Sequence, residues 1–174
     1  ATRIKLGWKD RLDPIKQSLL GGLVGNDFVA VHMSWGAANE WSANSAYLRM
    51  AKLEKHPVLA ELLKRIAAQE TKHIAFYASQ ARDRLAKSKK AQVITRFALS
   101  RFWAPVGSGI STDEEVTHVM GHLFRGTEGR KLVRDVDSHI AKLPGMEGLT
   151  IVETALDARG IAADGPSTPV AVAA

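Results

Sequence analysis

Two long helical patterns that meet at a proline constrain the fold of this 174-residue chain most strongly. From Asp27 to Glu54, and again after Pro57, apolar residues recur every three or four positions, which is the period of one face of an α-helix. Pro57 cannot continue the first helix because it has no N–H to donate, but it suits the first turn of a second helix. With Lys55-His56-Pro57 as the connection, the sequence predicts an antiparallel helical hairpin.

Each helix of this hairpin carries an acidic residue in the middle of its apolar face. The first face consists of Met33, Ala37, Glu40, Asn44, Tyr47 and Ala51. The second consists of Leu59, Leu63, Ile66, Glu70, His73 and Tyr77. Burying an unpaired carboxylate costs several kcal/mol or forces its protonation, so a metal ion, a cationic side chain or a network of donors must compensate each acid.

The two acids are expected at nearly the same level of the hairpin. Glu40 lies 16 residues before His56 and Glu70 lies 14 residues after it, or about 24 Å and 21 Å along the helix axes at about 1.5 Å per residue. His73 shares the face of Glu70, and Glu-x-x-His is a spacing by which helical bundles hold iron or manganese. We therefore predict that Glu40, Glu70 and His73 bind a metal ion. The alternative is an ion pair with Arg or Lys, which neither face supplies at this level.

The composition describes an ordinary globular chain, with 45% hydrophobic and 24% charged residues and enough apolar area for a core. The chain has no cysteine, which excludes disulfides and thiolate ligands and leaves oxygen and nitrogen donors for any metal. The apolar run from Ser18 to Ala30 is interrupted by glycines and by Asp27, so it predicts neither a transmembrane segment nor a signal peptide. We expect a cytoplasmic protein.

A basic segment from Arg82 to Arg101, with Asp83 as its single acid, begins at the end of the second helix of the hairpin. Its cations are Arg82, Arg84, Lys87, Lys89, Lys90, Arg96 and Arg101. This density favours contact with a polyanion, an anionic membrane surface or an acidic carrier protein, whereas the simpler interpretation is a solvated surface. We expect no nucleic-acid partner, because the segment carries no signature of a nucleic-acid-binding module.

The rest of the chain predicts an all-α protein, because alternating apolar and polar runs bounded by hairpin turns are absent from the sequence. We divide it into a short helix and connector at 1–26, a helical domain at 27–160 and a flexible tail at 161–174. Within the helical domain, further helices are predicted at 91–103, after a Ser111–Glu114 capping box, at 128–143 and at 149–159.

Residues 66–77 and the Glu40 helix together resemble the C-terminal half of the ferritin-like di-iron bundle found in acyl-carrier-protein desaturases. A weaker likeness extends over 98–107 and 111–149. The resemblance implies a ferritin-like helical bundle in which Glu40 is a terminal iron ligand, Glu70 bridges two irons and His73 is the nitrogen ligand. It also implies a di-iron, or mixed iron and manganese, centre that uses O₂ to oxidise an acyl chain on an acidic carrier protein.

The family builds this centre from two hairpins, and the sequence contains one. The second half-site is expected from a homodimer or from a complementary bundle half in a longer polypeptide or another chain. Within the chain, Glu115 and His118 repeat the Glu-x-x-His spacing and His122 follows one turn later, but an acid in the first helical turn is explained by the helix dipole.

Two departures from the family bear on its chemistry, namely Gln69 where the family has Asp and Ala43 where it has Thr. Besides an O₂-dependent oxidoreductase, two other functions therefore stay open. One is a non-catalytic scaffold or partner-binding module with a vestigial metal site. The other is iron oxidation and storage.

Overall fold

The computed structural model describes residue 25 and residues 27–161 of the chain. These residues are 79% helical and contain no strand, which confirms the all-α prediction for this part of the protein. The short helix and connector predicted for 1–26 and the tail predicted for 161–174 lie outside the described residues, apart from Gly25 and Ile161. Ile161 is buried against the helical domain.

Six helices make up the described part of the chain. They are α1 (Asp27–Leu53), α2 (Pro57–Lys87), α3 (Lys89–Phe102), α4 (Asp113–Phe124), α5 (Gly126–Ala141) and α6 (Ile151–Asp157). None of them is long and apolar enough to cross a membrane.

Helices α1 and α2 form the predicted antiparallel hairpin, with 27 and 31 residues. The contacts across the hairpin show that the two helices are antiparallel: Asn44 donates to Ala67 in the middle of the hairpin, and Ser88 donates to Asp27 at the end away from the turn. Pro57 occupies the first turn of α2, as its fixed φ and missing N–H favour. The hairpin is therefore the frame on which the other helices pack.

Ser88 alone separates α2 from α3. Its backbone is extended, with φ −142° and ψ 112°, and its hydroxyl accepts a hydrogen bond from the Ala91 N–H at 3.0 Å. This N-terminal cap lets α3 begin at Lys89, two residues before the start that the sequence predicted. A side-chain oxygen that satisfies a free N–H of the first turn is a strong signal for a helix start, and Ser88 supplied it.

The C-terminal helices close the apolar core against the outer side of α1. Leu85, Leu99, Ile140 and Leu143 are almost completely buried in this core. Arg49 of α1 ties these helices to the hairpin, because its guanidinium donates to the Glu128 carboxylate at 2.6 Å and to the Leu123 carbonyl at 3.3 Å.

The capping box at the start of α4 is shifted by one residue from its predicted position. Thr112, not Ser111, is the N-cap: its hydroxyl accepts from the Glu115 N–H at 3.2 Å, and the Glu115 carboxylate accepts from the Thr112 N–H at 2.9 Å. Both frames offer a hydroxyl and an acid three residues later, and the backbone settles the choice because Thr112 is extended while Asp113 is helical.

Candidate metal centre

Glu40 from α1 and Glu70 and His73 from α2 converge between the two helices. Each offers one ligand atom, and these atoms all lie within 4.8 Å of one another. The His73 Nδ1 lies 2.9 Å from the Glu70 Oε2 and 3.9 Å from the Glu40 Oε2. The structure thus brings together the three residues that the sequence analysis placed at one level. Two carboxylates and one imidazole are a donor set that suits iron, manganese or zinc.

Two close contacts fix the register of the hairpin at this cluster. One turn beyond Glu40, the Asn44 side-chain amide donates to the Ala67 carbonyl at 2.6 Å. One turn before Glu40, the Tyr77 ring packs against Gly36 so closely that a Cβ there would lie only 2.5 Å from it. Since these contacts flank the cluster on both sides, α2 cannot slide along α1 without breaking them.

The cluster is half-buried and opens to solvent on the side of His73. The exposed fraction of the side chain is 22% for Glu40, 16% for Glu70 and 59% for His73. The prediction that the whole α2 face points into the core is therefore wrong for His73 and also for Leu59, which is 42% exposed. The reason is that the described part of the chain packs no second hairpin against this side of α2.

Burial and mutual repulsion both act on the two carboxylates. Burial is the main cause that raises the pKa of the Glu40 carboxyl above its usual value, and the neighbouring Glu70 carboxyl raises this pKa further, while His73 lowers it. Among the described residues, no arginine or lysine lies within 4.0 Å of either acid, and the ion pairs of both acids are with His73. The predicted alternative, an ion pair with Arg or Lys, is thus not present in this part of the chain.

An apolar cavity of about 190 Å³ lies between α1 and the C-terminal helices. Ala43 and Tyr47 line it, and they stand one and two turns beyond Glu40 on α1. Its other walls include Trp103, Met120 and Phe124. The sequence analysis missed this cavity, because its walls come from helices whose packing order the apolar pattern does not specify.

The end of α3 is anchored next to the cluster by a single hydrogen bond. The indole N–H of the buried Trp103 donates to the Asn39 side-chain oxygen at 3.0 Å, and Asn39 precedes Glu40 in the chain. This bond holds one wall of the cavity against α1 at the level of the cluster.

The repeated motif in α4 does not join the cluster. The Glu115 carboxylate caps its own helix by accepting hydrogen bonds from the backbone N–H and the hydroxyl of Thr112. His118 and His122 instead line a separate groove with Leu59 and Leu63. A local role at the helix start therefore accounts for Glu115.

The predicted basic surface is partly used in structural contacts. Arg96 donates to the carbonyls of Gly145 and Glu147 at 3.1 Å and 2.9 Å, and Lys90 pairs with Asp27 at 3.4 Å. Other cations of the segment are exposed: Arg82, Lys87, Lys89 and Arg101. Two exposed aromatic rings, Phe97 and Phe102, pack edge to face among them at 5.6 Å.

No known protein family matches this chain, and neither a curated protein nor a solved structure is significantly similar to it.

We expect Glu40→Gln to stabilise the metal-free protein at pH 8, by roughly 0.3–1 kcal/mol for a partly exposed pair of like charges. The pKa of Glu40 is raised in the folded chain above its ordinary value of 4.5, so the folded protein binds this proton more tightly than the unfolded one. The charged Glu40 therefore destabilises the wild type at high pH, and this destabilisation disappears as the pH falls through the raised pKa toward 4.5. Thermal melts in the presence of a chelator should show the largest difference between variant and wild type at pH 8, and a difference that shrinks toward acid. A variant that melts below the wild type at pH 8 would contradict the proposed repulsion.

Proposed function

We propose that the chain supplies half of a di-iron, or mixed iron and manganese, centre that uses O₂ to oxidise an organic substrate. The observation that carries this proposal is the convergence of the Glu40, Glu70 and His73 ligand atoms within 4.8 Å on one side of the hairpin. No Arg or Lys of the described residues pairs with Glu40 or Glu70, so the two acids repel each other and a bound cation would relieve that repulsion. The donor set fits the metal, because carboxylate oxygens and imidazole nitrogens are the ligands of iron and manganese in helical bundles.

Iron held in such a site supplies one-electron chemistry with O₂, and the residues of this chain control its surroundings. Glu40 and Glu70 contribute the negative charge that favours the oxidised metal. Asn44 and Tyr77 hold the two helices at the spacing that keeps the three ligands together. His73 is the most exposed of the three ligands, so the remaining ligands of the centre would approach from its side.

The apolar cavity that Ala43 and Tyr47 line favours an apolar substrate. Its walls are almost entirely hydrocarbon and aromatic, with Tyr47 among the few polar side chains, so a polar ligand would lose its water there without gaining hydrogen bonds. We propose an acyl chain as this substrate. An acidic carrier protein would deliver it by docking on the exposed cations around Phe97 and Phe102.

Metal analysis of the full chain, purified from cells grown with added iron, tests this proposal. We expect about one iron per chain, because each hairpin supplies half of a two-metal site. The reduced protein should consume O₂, and the oxidised protein should show the visible absorption of bound ferric iron. Purified protein without iron or manganese, which also fails to bind either metal when it is added, would exclude the oxidase and leave a metal-free scaffold. Continued uptake of many irons per chain would instead support iron storage.

A further inference from the structure

Two histidines stand one turn apart on the outer side of α4. His118 and His122 are four residues apart, so their Cβ atoms lie about 6 Å from each other on one face of the helix. Both side chains are exposed. The packing of α4 fixes its rotation and directs both imidazoles away from the core. The residues that pack into the core from the other side of α4 are Val116, Met120, Leu123 and Phe124.

Both imidazoles line the same groove. The groove lies between α4 and the turn end of the hairpin, where Met50, Leu53 and Leu59 form its apolar side. Its volume of about 480 Å³ leaves room for a hydrated ion, because one water molecule occupies about 30 Å³. Two donor side chains that share a helix face and open into one space can hold one ion together.

The charges around this histidine pair favour a cation. Helix α4 carries three acids in its first turn and no arginine or lysine. Of the described residues that line the groove, Glu54 alone is fully charged at neutral pH. Arg125 follows the helix, and its guanidinium lies over Gly121, outside the lining of the groove. His122 lies in the last turn of α4, where the negative end of the helix dipole attracts positive charge.

The spacing of the two histidines is that of a chelating pair. Histidines four residues apart on one helix hold zinc in the His-Glu-x-x-His motif. Imidazole nitrogen suits zinc, copper and nickel, whereas magnesium and calcium require oxygen donors. Val119 stands where that motif has its general-base glutamate, so the pair is equipped to bind a metal but not to perform the hydrolysis of the motif.

We infer that His118 and His122 chelate a divalent cation of the late first-row transition metals, such as zinc, at a site separate from Glu40, Glu70 and His73. The inference does not depend on the proposed function, because neither histidine belongs to that cluster. Two protein donors leave the other positions of a tetrahedral zinc ion open toward the groove. Water, or a donor atom of a molecule in the groove, fills these positions.

Zinc titration of the full chain with the Glu70→Ala substitution tests this pair by itself, because that substitution removes a ligand of the other cluster. With a chromophoric chelator as competitor, we expect about one zinc per chain. Adding His118→Ala or His122→Ala should raise the dissociation constant at least about tenfold, since one imidazole remains. Excess magnesium should leave zinc binding unchanged. With copper(II) as the probe, electron paramagnetic resonance should show nitrogen coupling from both imidazoles, and from one in either histidine variant.

His139→Ala is the matched control, because His139 is also exposed on a helix but has no second histidine one turn away; its zinc affinity should be unchanged. Circular dichroism checks that each variant is folded. If Glu70→Ala does not fold, the wild type replaces it, and His118→Ala should then lower the zinc content by about one ion per chain.

Three results would overturn the inference: no zinc binding, affinity that is unchanged in both His118→Ala and His122→Ala, or an equal loss in His139→Ala. Zinc at this pair in a protein that binds no iron would overturn the proposed function and leave the inference standing. Iron that depends on Glu70 in a protein without zinc at the pair would do the reverse.

Discussion

Glu70→Ala should abolish iron binding, with a fall from about one iron per chain to less than about 0.1 when the metal is quantified after purification. Glu70 is the least exposed of the three ligands and contacts His73 at 2.9 Å, so its loss removes one donor and releases another. Loss of an outer partner of a metal ligand already costs about 10–100-fold in affinity, and loss of a ligand itself should cost more.

The thermal response separates this effect from unfolding. Metal at 100 times its dissociation constant stabilises a protein by about 2.7 kcal/mol, so added iron or manganese should raise the melting temperature of the wild type and leave that of Glu70→Ala unchanged. Glu61→Ala is the matched control, because Glu61 is an exposed acid of the same helix that pairs with Arg65. Should Glu70→Ala keep both its iron and its metal-dependent stabilisation, the assignment of the site is wrong.

Asp137→Ala should lower the free energy of unfolding by about 2–3 kcal/mol, because the Asp137 carboxylate caps the start of α6 from within the core. It accepts hydrogen bonds from the Val152 N–H at 3.0 Å and the Glu153 N–H at 2.9 Å, and Asp137 is only 3% exposed. Alanine would leave both donors without this partner. A fall in melting temperature of roughly 5–10 °C is expected from a loss of this size.

Asp135→Ala is the control for Asp137→Ala, since Asp135 lies two residues earlier on the same helix and is exposed. A surface substitution of this kind should change the free energy of unfolding by no more than about 0.5 kcal/mol. Equal melting temperatures for the two variants, in thermal scans at the same pH, would show that the cap contributes nothing. Helical spacing places Asp137, and not Asp135, on the face shared by Val133 and Ile140, so the sequence held a signal that separates the two aspartates.

The hairpin was predictable because its signals are local. The repeat of apolar residues requires only the helical period, and Pro57 ends one helix and begins the next for covalent reasons. The level of Glu40 and Glu70 followed from counting residues from the turn, since the rise per residue of a helix is constant. The frame of the α4 capping box was missed by one residue, because Ser111 and Thr112 offer competing caps. The start of α3 was missed by two residues, because the Ser88 cap was not recognised.

The amino-acid sequence by itself determined that the chain is helical, where its longest helices turn back, and that two acids and a histidine share one level of the hairpin. These properties depend on helix geometry and on residues close together in the chain. Only the tertiary structure decided that His73 faces solvent and that Ala43 and Tyr47 border a cavity. Burial depends on which distant helix packs on which face, and many packing orders satisfy the same apolar pattern.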